Sequence, residues 1–136
     1  MNWKEINNKY PKAFLEWAKS TSSFRMDLIL SIDQKDGEDW FEIRYTNGIY
    51  TNIRTIHGCQ IHAMPAYFDQ FGIVVIPKPY DISNTKKWCL EYYQNRVYQG
   101  YIMDGTQLTT FPDRLSALKA GVEKAFEIRE QQLNQQ

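Results

Sequence analysis

Apolar positions recur at steps of three and four along the last long stretch, Thr110 to Leu133: Leu115, Leu118, Val122, Ala125, Phe126 and Leu133. That spacing predicts one stripe of an amphipathic helix. Lys119, Glu123, Lys124, Glu127 and Glu130 fall mostly on the other side, with Lys119 and Glu123 as an i,i+4 pair. Thr110 offers a cap, Pro112 is tolerated in a first turn, and Asp113 is an acid where the helix dipole favours one. Ala117, Ala120 and Gly121 lie beside the stripe and would let a sheet approach closely.

Upstream the pattern changes period. Asn2 and Glu5 have capping-box spacing, Trp3, Ile6 and Tyr10 share one helical face, and Pro11 ends or kinks that turn before Ala13, Phe14, Trp17 and Ala18. Met26 to Ile32 reads as a buried strand. Trp40–Tyr45 and Ile49–Ile56 form a hairpin around Thr46–Asn47–Gly48, with Phe41, Ile43 and Tyr45 on one face and Trp40, Glu42 and Arg44 on the other. Pro65–Gln70 reads as a helical turn, and Phe71–Ile76 as a central strand buried on both faces. Pro77, Pro79, Asp81, Ser83 and Asn84 read as a loop. A second hairpin joins Trp88–Tyr93 to Val97–Met103, and Asp104–Gly105 turns toward the closing helix.

These elements predict one α+β domain over residues 1–136. Its antiparallel sheet of about five or six strands would carry the N-terminal helices and the closing helix mainly on one face. The two hairpins share W-x4-Y-x-N-x-[IV]-Y: Trp40, Tyr45, Asn47, Ile49 and Tyr50 match Trp88, Tyr93, Asn95, Val97 and Tyr98. An internal repeat, residues 10–56 and 64–103, is one reading of this echo. In that register the outer Glu42 and Arg44 correspond to Leu90 and Tyr92, so the polar face would change sides.

Composition narrows the class. With 15 % aromatic residues the core should be rich in Tyr, Phe and Trp, and disorder is disfavoured. Sixteen basic and sixteen acidic residues cancel, which argues against a protein that coats duplex DNA. No apolar run has the length of a membrane span or signal core, and Cys59 and Cys89 lack the spacing of a disulfide framework. A cytoplasmic protein with two reduced thiols, no membrane partner and no cofactor is the expectation.

Candidate chemistry is sparse. His57, Cys59 and His62 form the metal-capable cluster, H-x-C-x2-H, but structural zinc ligands come as two tight pairs and a solvated loop is favoured over a metal site. The same residues suggest a Cys59 nucleophile with a histidine base, oriented by Asp69 or Glu91, yet no oxyanion donor is identifiable after Cys59. The second hairpin instead offers Lys86, Lys87, Trp88, Tyr92, Arg96 and Tyr98, aromatics interleaved with cations. Such a surface can stack single-stranded bases, or form a protein interface in which Tyr and Trp are enriched.

The opening N-W-K-E-x5-Y-P-K-A-F (Asn2 to Phe14) and the closing T-x-F-x-x-R-x-x-A (Thr109 to Ala117) and A-F-E-I-x-E (Ala125 to Glu130) resemble small uncharacterised proteins of bacteria and their phages. That resemblance covers the two ends of the chain. It implies an α+β fold with a helix over a sheet, and no activity or site residues. The residues favour a small accessory or protein-binding module, including self-association through a strand edge, over an enzyme. Single-stranded nucleic-acid binding is the alternative, and a thiol enzyme using Cys59 with His57 or His62 the third reading.

Overall fold

Asn2 caps the first helix as its spacing to Glu5 predicts: the Glu5 N–H donates to Asn2 Oδ1 at 3.0 Å. The computed structural model describes all residues except 22–24, 36–39, 58–60, 82–83 and 85. The chain is α+β and divides into two units, Met1–Gln60 with Glu130–Gln136, and Ile61–Arg129.

In the first unit α1 (Trp3–Lys9) and α2 (Pro11–Ser20) precede β1 (Leu28–Asp33), β2 (Trp40–Thr46) and β3 (Thr51–His57), an antiparallel sheet of order β1-β2-β3. Pro11 opens α2, where a missing N–H costs nothing. Trp3, Phe14 and Trp17 gather on Phe41 of β2, the Trp3 and Phe41 rings being 5.0 Å apart. Phe41, Ile43 and Tyr45 are buried, as alternation predicts. The expected buried strand at Met26–Ile32 is only partly so. Met26 and Ile32 are buried, but Leu28 and Leu30 are exposed, because β1 is an edge strand with a bulge at Leu30.

Both ends of α2 are closed by side chains distant in sequence. Glu130, buried, accepts the N–H groups of Ala13 at 2.8 Å and Lys12 at 3.4 Å, two donors that a first helical turn leaves unpaired. Arg54 donates to the Thr21 hydroxyl at 2.8 Å and to the Thr21 carbonyl. An anion at the N-terminus and a cation at the C-terminus both complement the helix dipole.

The second unit contains α3 (Met64–Asp69), β4 (Val74–Tyr80), β5 (Lys87–Gln94), β6 (Val97–Tyr101), the short pair β7 (Met103–Asp104) and β8 (Gln107–Leu108), and most of α4 (Arg114–Asn134). The helix starts later than Thr110. Asp113 is its cap, accepting the Ser116 N–H at 2.7 Å, and Phe111 is held in extended form by two backbone hydrogen bonds with Trp88. Leu118, Val122, Ala125 and Phe126 are buried as the stripe predicts; Leu115 is exposed, and Ile128 is buried instead. Gly121 permits the close approach expected of it. A Cβ there would lie 3.0 Å from Leu90 Cδ1 and 3.1 Å from Val75 Cβ.

The strands do not form a single sheet of five or six. Among the described residues they make two three-stranded sheets, β1-β2-β3 and β4-β5-β6, and the pair β7-β8. The expected central strand at Phe71–Ile76 is displaced to Val74–Tyr80 and takes in Pro77 and Pro79, residues expected in a loop. Prolines lack the N–H that a second neighbour would need, so β4 serves as an edge and ends the second sheet. The Asp104–Gly105 turn belongs to the β7–β8 hairpin rather than leading directly to the helix. Among the described residues no helix is long and apolar enough to cross a membrane.

Candidate functional site

The faces of the second sheet follow from β5. Leu90 meets α4 at Gly121, and Tyr92 lies under the Lys124 ammonium of α4 at 5.3 Å. Side chains alternate along a strand, so Trp88, Leu90 and Tyr92 share the helix-covered face, and Lys87, Cys89, Glu91 and Tyr93 share the opposite one. The register adds Ile76 and Lys78 of β4 to that outward face, opposite Glu91 and Cys89.

A bulge in β6 completes it. Tyr93 pairs with Tyr98 and Tyr92 with Gly100, leaving Gln99 as the extra residue. Without the bulge Tyr98 and Tyr101 would point to opposite faces; with it both stand on the outward face, Tyr101 opposite Glu91. Gly100 has φ +95, and a Cβ there would meet nothing within 4 Å, so the glycine serves backbone conformation rather than space.

The product is a carboxylate set beneath tyrosines. Glu91 is 6 % exposed; Lys78 Nζ lies 2.8 Å from its Oε1, and the Tyr101 and Tyr98 hydroxyls donate to it. Tyr98 and Tyr101 remain exposed, and the Tyr93 and Tyr98 rings meet edge to face at 5.2 Å. The hydrogen bond from Lys78, reinforced by Tyr101 and Tyr98, holds the Glu91 carboxyl below its usual range. The bond to Glu91 raises the Lys78 ammonium, and that to Glu91 likewise raises Tyr101. Burial, then the Glu91 charge, raises Tyr98 and the Cys89 thiol.

Each shift leads away from neutrality. Glu91 stays ionised, Lys78 charged, and Tyr98, Tyr101 and Cys89 protonated. General acid–base catalysis asks for a group whose pKa lies near the working pH, and thiol catalysis for an accessible thiolate.

Of the six residues singled out in the sequence, Lys87 and Tyr98 lie on this outward face, whereas Trp88 and Tyr92 lie on the helix side. Arg96 sits in the β5–β6 turn at φ +66, its N–H donating to the Gly72 carbonyl at 2.9 Å, and Lys86 lies before β5 at φ +41. Left-handed backbone is costly for residues with side chains, and both cations occupy it. His57 ends β3 in the first unit, His62 is exposed in the second, and Cys59 lies outside the described residues. No group of His, Cys, Asp and Glu among the described residues has the arrangement of a metal site. Lys78, Glu91 and Tyr101 carry the cluster; Lys78 escaped the reading of candidates by residue type, Glu91 entered it only as an orienter for a histidine beside Cys59, and Tyr101 only as one more aromatic of the second hairpin. Gly100 inside an apolar strand was the signal for the bulge that joins them.

In comparison with known proteins, the chain matches no family model, no curated protein and no solved structure.

Proposed function

We infer that the protein is a small cytoplasmic accessory module that binds a protein partner through the outward face of the β4–β6 sheet. The observation that carries this is the convergence of Tyr93, Tyr98 and Tyr101 over the buried Glu91 and its Lys78. Tyrosine rings pinned at their hydroxyls lose little entropy on contact and supply large amphipathic area, which is why they are enriched at interfaces. The ion pair beneath them is internally neutral, so Lys87 is the charge this face adds beyond it, a small field for a phosphate backbone. Separation of Trp88 and Tyr92 from Tyr98 also divides the aromatics that a single strand would stack on, and the Tyr93 and Tyr98 rings meet edge to face rather than as parallel steps. The resemblance of the chain's two ends to small bacterial and phage proteins is compatible with this role and supplies no activity.

The test is capture of tagged full-length protein from lysate of its source cell, with and without nuclease, beside a Tyr98→Ala, Tyr101→Ala double variant. A defined protein that survives nuclease and is lost from the variant is the expected result. Material released by nuclease would transfer the reading to single-stranded nucleic acid, and a partner retained equally by both proteins would remove this face from consideration.

A further inference from the structure

Sheet edges offer a row of unpaired backbone groups, and natural proteins blunt them. Three of the four edges of the large sheets here are blunted. β4 carries Pro77 and Pro79, β6 is bulged at Gln99, and β1 is bulged at Leu30. The fourth, β3, has neither proline nor bulge, and its one arginine, Arg54, is turned to Thr21 rather than to the edge. It pairs with β2 in unbroken register over its whole length, Thr51–His57, with no proline, glycine or acidic residue.

The register fixes which of its groups face outward. The Asn47 N–H bonds to the Tyr50 carbonyl, and the Asp27 N–H to the Thr46 carbonyl. Thr46 therefore directs its backbone to β1, and by alternation along the antiparallel ladder Asn52, Arg54 and Ile56 bond to β2. The N–H and C=O groups of Thr51, Ile53 and Thr55 point away from the sheet, and no described residue bonds to them. Their side chains are exposed as well, Ile53 by 64 %.

We propose that this edge takes β3 of a second copy of the chain, antiparallel about a twofold axis at Ile53. The sequence of the edge selects the occupant. Centred on Ile53, the pairing sets Ile53 against its copy, Thr51 against Thr55, and Asn52 against Arg54. No like charges face each other, and the β-branched pairs are those that favour cross-strand association. Moving the axis to Arg54 would instead set two guanidinium groups opposite each other. Arg54 is already committed to Thr21 on the helix side, so it need not leave its partner. The two sheets would become one six-stranded sheet, β1-β2-β3 continued by the same strands in reverse. This surface lies in the first unit and does not depend on the tyrosine face of the second.

Sedimentation equilibrium on the full chain across a wide concentration range is the experiment, with Ile53→Lys and Thr55→Pro as variants. Ile53 is exposed, so the lysine leaves the fold intact while placing two ammonium groups at the axis. The Thr55 N–H points outward, so proline removes a donor from the free edge and none from the β2 ladder. Expected is a reversible dimer weakened about tenfold or more by each variant. A wild-type chain that stays monomeric throughout, or a dimer unmoved by both variants, would overturn the proposal. The monomer result would leave the edge for an extended segment of another protein.

Discussion

The two three-stranded sheets each carry a tryptophan at the start of the middle strand, Trp40 first in β2 and Trp88 second in β5, and then part company. In β2 the side chains at odd positions, Phe41, Ile43 and Tyr45, lie under the aromatic cluster of α1 and α2, while Glu42 and Arg44 face out. In β5 the positions corresponding to these inward residues are Cys89, Glu91 and Tyr93, and they lie on the face away from α4. The helix-covered side is formed by Leu90 and Tyr92, which correspond to Glu42 and Arg44. A shared hairpin signature thus specifies strands and turn, and leaves the face to whichever side supplies apolar surface to a helix.

The same contrast explains where the exposed tyrosine cluster arises. β2 alternates cleanly, so its own side chains divide into a buried row, Phe41, Ile43 and Tyr45, and an outer row that includes Glu42 and Arg44. β5 does not: Cys89, Leu90 and Glu91 are buried in succession. Burying a carboxylate on the face without α4 requires donors, and Lys78, Tyr98 and Tyr101 meet that need while leaving aromatic surface outside.

The sharpest way to break this comparison is to exchange the matching residues. Leu90→Glu should place an unpaired charge under α4 and destabilise the protein by roughly 3–5 kcal/mol, whereas Glu42→Leu should change stability by no more than about 0.5 kcal/mol. Equilibrium denaturation of both variants measures the difference, and similar losses would mean the sheets use equivalent faces. Next in size is Glu130→Ala, which strips the distant cap from α2 and should cost about 1–2 kcal/mol by the same measurement. An unchanged midpoint would show that the Lys12 and Ala13 donors find another acceptor.

The smallest effect is electrostatic and confined to the second sheet. The folded-state pKa of Glu91 is lowered, so its contribution is present above the ordinary glutamate range and is lost as pH falls through that range to the lowered value. The stability advantage of wild type over Glu91→Gln should be constant near neutrality and shrink on acidification. A gap independent of pH across the acid limb would detach the Glu91 charge from stability.

Much of the first unit was legible because its signals are local. Asn2 and Glu5 announce a cap, Pro11 a helix start, and Asn47–Gly48 a hairpin, each within a few residues of its consequence. The bonds from Glu130 and Arg54 to α2 have no local signature, since they join residues that only the tertiary fold brings together. The second sheet was harder for a different reason. The run through β4 and β5 is apolar without a clean period, so neither its edge position nor its helix-facing side could be read. Pro77 and Pro79 held the first answer, in a strand rather than a loop, and Gly100 marked the bulge that assembles the candidate site. Choosing aromatics and cations by type alone mixed the two faces: Trp88 and Tyr92 went to one, Tyr98 to the other.

Hydroxyl-radical footprinting of the intact protein, read residue by residue by mass spectrometry, would decide which aromatic face is open. Tyr98 and Tyr101 should be oxidised readily, with Tyr45 protected. Protection of Tyr98 and Tyr101 together with rapid oxidation of Trp88 and Tyr92 would place the helix on the other side of the sheet and contradict the account.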